Sequence, residues 1–193
     1  MAKRKISNTL ALAVLGLLQE REMHPYEIAA TLRERHKGGS FKINSGSLYD
    51  TVEALLGHGW IEAVEVTRDG RRPERTVYGP TALGQAEFVR WVDELVRVPA
   101  AEYPKFLAAV AYLGALGPRG AADALDERAG HLEARIAETA DILPSIGLPR
   151  LFMIEVEFAL HALRAELEWT RATAAEIRDG TLAWPGTEAA TPA

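Results

Sequence analysis

The fold is decided by residues 45–56, SGSLYDTVEALL, which are followed by a stop signal, Gly57-His58-Gly59. Apolar side chains recur in this stretch at positions i, i+4, i+7 and i+8, the spacing that places them on one face of a helix. These positions are held by Leu48, Val52, Leu55 and Leu56. The other faces carry Ser47, Tyr49, Asp50 and Glu53. We therefore predict a helix that buries one stripe and leaves a polar, partly exposed face.

Two further helices are predicted upstream of this one. Residues 9–20 place apolar side chains at helical spacing, and the polar residues just before them can cap the helix. A second helix starts at Pro25, because proline suits the first helical position, where its missing N–H is not needed. This helix is predicted to run to about His36, where the glycine-containing loop 37–40 ends it.

Downstream, the sequence predicts a β-hairpin and a fourth helix. Residues 60–66 are rich in β-formers, residues 68–70 supply a turn, and residues 74–78 can return as a second strand. Thr81 can cap the fourth helix, which has more apolar surface than one small domain usually hides. Three helices followed by a hairpin are typical of a winged helix-turn-helix.

The remainder of the chain is predicted to be helical after a linker at residues 99–102, with helices at residues 103–116, 118 to about 142 and 149 to about 178. We predict a mainly α fold in which residues 1–98 form the winged helix-turn-helix and its linking helix, and residues 99–180 form a helical dimerisation domain. Residues 181–193 are expected to be a disordered tail except around Trp184, since they are rich in Ala, Pro, Thr and Gly. The last helix keeps an apolar stripe suited to pairing with a second copy. The predicted dimerisation residues are Phe158, Leu160, Leu163 and Leu167.

Composition excludes several functions. None of the 193 residues is cysteine, so a disulfide framework and a thiolate metal site are both impossible. The histidines are scattered without ligand spacing, and no nucleophile, acid–base pair or phosphate loop can be recognised, so we expect no metal, no cofactor and no enzyme. No apolar stretch approaches the roughly 20 residues that span a bilayer. We expect a cytoplasmic protein without a membrane partner.

The charge distribution favours a polyanionic partner on one face. Residues 1–80 hold 12 Lys and Arg against 10 Asp and Glu, whereas residues 81–193 hold 10 against 17. A mildly basic head on an acidic body suits a protein that contacts double-stranded DNA with its head alone.

The DNA face is predicted at the start of the third helix and at the hairpin tip. Small side chains at the helix entrance let a phosphate approach the backbone N–H groups, and the Tyr49 hydroxyl can donate to a phosphate oxygen. The candidate DNA-binding residues are Lys42, Asn44, Ser45, Gly46, Ser47, Tyr49, Arg68, Arg71 and Arg72. Alternatively, the hairpin tip is simply solvated, or the domain is a protein–protein adaptor that never contacts DNA.

Other side chains have competing interpretations. Tyr26 and Glu27 are predicted to be structural residues of the second helix rather than base-contacting ones. Trp91, Tyr103 and Phe106 could line an effector pocket between the fourth helix and the C-terminal helices, although a role in the core is the favoured alternative.

Several spaced motifs resemble the PadR family of bacterial transcriptional regulators. They are LGLL at 15–18, HPYEI at 24–28, GSLY at 46–49 and GWIE at 59–62, followed by Tyr78, Thr81 and Gly84. The resemblance spans nearly all of residues 9–90 and implies a homodimeric DNA-binding repressor. It further implies that the C-terminal helices form the dimer and that a small aromatic or drug-like molecule releases the DNA. Pro25 and Ser45 depart from the residues most frequent in the family, Gly and Pro, without disturbing a helix start.

Overall fold

The computed structural model describes Ile6 and residues 8–35, 45–67, 75–142 and 149–184. The chain divides into two compact units, Met1–Ala101 and Glu102–Ala193. The described part is mainly helical with one two-stranded antiparallel sheet, which confirms the predicted fold class.

The first unit begins with three helices, α1 (Thr9–Glu20), α2 (Pro25–Glu34) and α3 (Ser45–Gly57). The bounds of α1 are those predicted, and Asn8 caps the helix by accepting a hydrogen bond from the Leu10 N–H at 2.9 Å. The start of α2 at Pro25 is confirmed, but the helix ends at Glu34, two residues before the predicted end. His36 itself lies outside the described residues.

A hairpin follows α3. Strands β1 (Ile61–Thr67) and β2 (Arg75–Pro80) pair antiparallel, with Ile61 opposite Pro80 and a bulge between Ala63 and Glu65. The segment between α1 and α2 joins this sheet through Met23, whose backbone exchanges two 3.0 Å hydrogen bonds with that of Tyr78. The base of the hairpin is therefore bonded to the segment that links α1 to α2.

The core of the first unit surrounds α1. Seven of the twelve residues of α1 are buried, and α3, the hairpin and helix α4 (Ala82–Arg97) pack on it. From α3 come Leu48, Val52 and Leu55. A pair of tryptophans completes this core, with the rings of Trp60 and Trp91 meeting edge to face at 6.4 Å between centroids.

The junction between α3, β1 and α4 is unusually close. Thr81 donates through its backbone N–H to the Trp60 carbonyl at 3.1 Å and through its hydroxyl to the Gly59 carbonyl at 2.6 Å. The same hydroxyl caps α4 by accepting from the Gly84 N–H at 3.0 Å. A Cβ on Gly84 would lie 1.8 Å from the Trp60 carbonyl oxygen, so this position requires glycine.

The second unit is built on two long helices, α6 (Gly117–Ile142) and α7 (Ile154–Asp179). Before them the predicted helix 103–116 is broken into α5 (Lys105–Val110) and a 3-10 turn, Leu113–Leu116. A second 3-10 turn, Arg150–Phe152, precedes α7. Small and aliphatic side chains join α6 to α7, namely Ala121, Ala122, Leu125, Ala174 and Ile177.

Three ion pairs add to this helix pairing. They join Arg128 to Glu166, Arg171 to Glu133 and Arg178 to Asp126. All six side chains remain partly exposed, so each pair contributes little to stability and more to the alignment of the two helices.

The ordered structure extends past the predicted start of the tail. Gly180 ends α7 with a left-handed φ of 80°, and Thr181 donates to Asp179 Oδ1 from its N–H at 2.9 Å and from its hydroxyl at 2.6 Å. Trp184 then packs against the cluster between α6 and α7. The structure thus describes residues 181–184, and the ring of Trp184, which the prediction excepted from the disordered tail, gains apolar contacts there. Residues 185–193 lie outside the described residues.

Candidate nucleic-acid interface

Helix α3 has sharply different faces. Leu48, Thr51, Val52 and Leu55 are buried in the first unit. Gly46, Tyr49, Asp50 and Glu53 are exposed on the opposite side. The predicted free polar face is therefore present, and it belongs to the third helix of a helix-turn-helix arrangement, the element that such proteins place in the major groove.

The predicted apolar stripe of α3 was wrong at one position. Leu56 is 41% exposed, although it was grouped with Leu48 and Leu55. At about 100° per residue, Leu55 lies within about 20° of Leu48 around the helix axis, whereas Leu56 lies about 80° away. Leu56 therefore falls at the edge of the buried stripe.

A short hydrogen-bond chain joins α3 to α1. The Thr51 hydroxyl donates to the Ser47 carbonyl at 2.6 Å, and Asn8 Nδ2 donates to the Thr51 hydroxyl at 3.4 Å. Because Asn8 also caps α1, one side chain ties the start of the central helix to the inner side of α3. The direction in which the outer face of α3 points is thus set by buried polar contacts as well as by packing.

The predicted helix entrance is described in part. Gly46 is exposed, Ser47 is partly buried, and Tyr49 is 50% exposed, so the Tyr49 side chain does not belong to the core. Ser45 is the first residue of α3. The other predicted DNA-binding residues, Lys42, Asn44, Arg68, Arg71 and Arg72, lie outside the described residues.

The start of α2 shows one prediction that holds and one that fails. Glu27 is structural, since its carboxylate accepts from the His24 N–H at 2.9 Å in a capping box. This bond, with Arg21 at 3.5 Å, holds the pKa of the Glu27 carboxyl below its ordinary value. Tyr26 was also predicted to be structural, but it is 67% exposed. It lies about 100° around the helix from buried Pro25, and that angle was already available from the sequence.

The three residues predicted for an effector pocket belong to different units, Trp91 to the first and Tyr103 and Phe106 to the second. Trp91 is buried in the core of the first unit against Trp60, so the core alternative is correct for this residue. Tyr103 is 92% exposed. Phe106 belongs to the second unit, where its ring meets Trp169 at 5.9 Å between centroids and the Arg128 guanidinium lies 3.5 Å from its centre.

The residues predicted for dimerisation differ in accessibility. Phe158 is 74% exposed, and Leu163 and Leu167 are partly buried. Leu160 is buried within its own chain, so assigning it to a subunit interface was wrong. Exposed apolar side chains near Phe158 in sequence are Leu151, Phe152 and Ile154.

The described residues contain neither a membrane-spanning helix nor a metal-binding group of side chains. No helix there is long and apolar enough to cross a bilayer. No three His, Asp or Glu side chains in the same ranges are grouped to hold a metal ion.

The helices, the hairpin and the outward face of α3 together form a winged helix-turn-helix. Residues 14–90 match the model of the transcriptional regulator PadR-like family. The match covers less than half of the chain and lies within the first unit, which is therefore similar to that family.

Two curated proteins are similar in sequence to this chain. A probable transcriptional regulator of Mycobacterium tuberculosis is 30% identical over 82 residues, which are 42% of this chain and only 42% of the relative's own length. The negative transcriptional regulator PadR of Bacillus subtilis is 22% identical over 129 residues, covering 67% of this chain and 70% of the relative.

Solved structures extend the similarity to the second unit. Bacillus subtilis PadR in complex with operator DNA has a TM-score of 0.71 at 21% identity, covering 88% of this chain and 99% of that one. The same protein with p-coumaric acid gives 0.72 at 19% identity, over 89% and 99%. The Vibrio cholerae virulence activator AphA gives 0.66 at 19% identity, over 88% and 98%. At such identities the similarity shows a shared fold.

Proposed function

We propose that this regulator is a repressor that binds a palindromic DNA operator as a homodimer. The observation that carries the proposal is the exposed face of α3, which presents Gly46, Tyr49, Asp50 and Glu53 away from the core. Support comes from the shared fold with a PadR that has been crystallised on its operator.

In this proposal α3 enters the major groove with its N-terminal end beside the sugar–phosphate backbone. Gly46 leaves room for a phosphate next to the backbone N–H groups of the first turn, where the helix dipole favours negative charge. The Tyr49 hydroxyl donates to a phosphate oxygen and sets the register of the helix. Arg68, Arg71 and Arg72 of the hairpin, with Lys42 and Asn44, supply further backbone contacts.

The proposed dimer pairs the second units of two chains. Phe158 leaves about three quarters of its surface in solvent, and an aromatic side chain so exposed on a long helix is suited to burial against a copy of itself. Two heads held in this way would place their α3 helices about 34 Å apart, one turn of duplex, so the operator is expected to be palindromic.

Repression is the sign of regulation that we favour. The curated Bacillus subtilis relative is described as a negative regulator, and a dimer covering a promoter would exclude RNA polymerase sterically. The fold is also used by an activator. A reporter gene under the control of the chain's own promoter distinguishes repression from activation, because deletion of a repressor raises expression and deletion of an activator lowers it.

We further propose that a small aromatic molecule releases the DNA. Phe106, Trp169 and Arg128 place two rings and a guanidinium, which also pairs with Glu166, together in the second unit, and an aromatic anion could stack on these rings and share the guanidinium. A thermal-shift screen with aromatic carboxylates tests this, since a ligand that binds the folded chain raises its melting temperature. Failure of every compound to stabilise the chain would contradict it.

DNA binding is tested by mobility shift over a range of salt concentrations. Arg71→Ala with Arg72→Ala should weaken binding to all sequences and reduce the salt slope by about two, as expected for two lost phosphate contacts. The matched control is Arg119→Ala with Arg164→Ala, two exposed arginines of the second unit. If the wild-type protein shifts no DNA, the adaptor alternative is favoured. If the salt slope is unchanged in the Arg71→Ala, Arg72→Ala variant, these two arginines do not contact DNA.

A further inference from the structure

Helix α3 carries no positive charge. Its thirteen residues, SGSLYDTVEALLG, include two carboxylates and no Lys, Arg or His. Asp50 and Glu53 are both on the exposed face, and neither makes a hydrogen bond or ion pair within the described part of the chain. A helix entering the major groove would therefore bring two carboxylates to the base edges and no cation of its own.

The chemistry of the groove limits what these acceptors can bind. An ionised carboxylate only accepts hydrogen bonds. The base edges of the major groove offer donors at the cytosine N4 and adenine N6 amino groups, whereas guanine and thymine present acceptors. At adenine the neighbouring N7 is itself an acceptor and repels a carboxylate, so cytosine is the better partner.

We infer that Asp50 and Glu53 determine operator specificity by accepting hydrogen bonds from cytosine amino groups in each half-site. This inference rests on the proposed DNA-binding function. The two residues are three apart, so they rise about 4.5 Å along the helix, comparable to the 3.4 Å step between base pairs. They therefore contact the same base pair or close neighbours.

The same carboxylates also discriminate against wrong sites. In a sequence without amino donors at these positions, both would be desolvated beside phosphates and acceptor atoms without a partner, which costs free energy. The acidic helix therefore favours DNA sequences that offer amino donors at these positions. The phosphate-binding charge lies on other elements, which contribute equally at every site.

The experiment is selection from a library of random duplex DNA with the full chain, followed by sequencing. The wild-type protein should enrich a palindrome in which each half-site contains cytosine at one or two positions, favoured about tenfold over the other bases. Glu53→Gln should change its position from cytosine to adenine, because a carboxamide matches the adenine N6 and N7 pair. Asp50→Asn should do the same at its own position.

Two controls isolate base contact from charge and from folding. Glu138→Gln removes one exposed carboxylate from α6 in the second unit and should leave the enriched sequence unchanged. Urea midpoints of Glu53→Gln and Asp50→Asn should equal that of the wild type, since both side chains are exposed.

The possible outcomes separate the inference from the function on which it rests. Altered base preference in both variants supports the inference. A palindrome that is identical in wild type and variants overturns it, as does an equal gain in affinity for all sequences, because the carboxylates would then act only through their charge. If the wild-type chain enriches no sequence at all, the proposed DNA-binding function fails.

Discussion

Replacing Gly84 with alanine should strongly destabilise the first unit. Gly84 is buried in the first turn of α4, and its Cβ would lie 1.8 Å from the carbonyl oxygen of Trp60 and 2.7 Å from the carbonyl carbon. Carbon and oxygen atoms approach to about 3.3 Å at closest in ordinary contacts. The start of α4 must therefore move by about 1.5 Å relative to the end of α3.

The magnitude follows from the bonds that this movement stretches. Thr81 donates to the carbonyls of Trp60 and Gly59 at 3.1 and 2.6 Å, and each bond is worth about 1 kcal/mol. Overpacking adds about 1–3 kcal/mol, while alanine recovers up to about 1 kcal/mol relative to glycine in a helix. The expected loss is about 2–4 kcal/mol, a large part of the stability of a small domain.

Urea denaturation followed by hydrogen exchange of peptides from each unit measures this loss separately in the two units. With a slope of about 1–3 kcal/mol per molar urea, the midpoint of the first unit should fall by about 1 M or more. Gly130→Ala in α6 is the matched control, because its Cβ would meet nothing within 4 Å. A Gly84→Ala protein whose first unit unfolds at the wild-type urea concentration would refute this account of the junction.

Three further results are expected. Tyr49→Phe should weaken DNA binding about tenfold or more in mobility shifts with an unchanged urea midpoint. A lowered midpoint would mean that the Tyr49 hydroxyl stabilises the fold and would contradict the proposed phosphate contact. Glu27→Gln should destabilise the first unit at neutral pH: the pKa of this carboxyl is lowered on folding, so its contribution is present above the unfolded pKa and lost as pH falls through the folded pKa. Stability curves of wild type and Glu27→Gln should therefore converge in acid, and a gap independent of pH would contradict the capping role. Phe158→Asp should give monomers in sedimentation without unfolding the chain, and a persistent dimer would place the interface elsewhere.

Much of the first unit could be predicted from sequence because its signals are local. The caps at Asn8 and Thr81, the proline that starts α2 and the apolar period of α3 all act within a few residues. Packing decided the positions at the edge of each stripe. The prediction that Leu56 is buried was wrong for this reason, since a helix buries only the residues that neighbouring elements contact.

The candidate pocket could not be predicted in the same way, because it depended on contacts far apart in sequence. Trp91 fits equally well into a pocket or a core, and only its contact with Trp60 distinguishes the two. The break after α5 likewise escaped prediction, since Leu113–Leu116 and the residues before it have an apolar pattern that a continuous helix would share. Tyr26 was different: its angle from Pro25 already placed it off the buried face.

Under the proposed function, the junction at Thr81 bears on how DNA binding can be controlled. Because Thr81 bonds the end of α3 to the start of α4, and Met23 bonds the α1–α2 segment to β2, the outer face of α3 and the base of the hairpin belong to one rigid set of contacts. A signal that rearranged α3 alone would have to break these hydrogen bonds. Under the proposed function, the less costly response is to displace the whole head relative to the second copy, which lowers affinity while leaving the DNA-binding face intact.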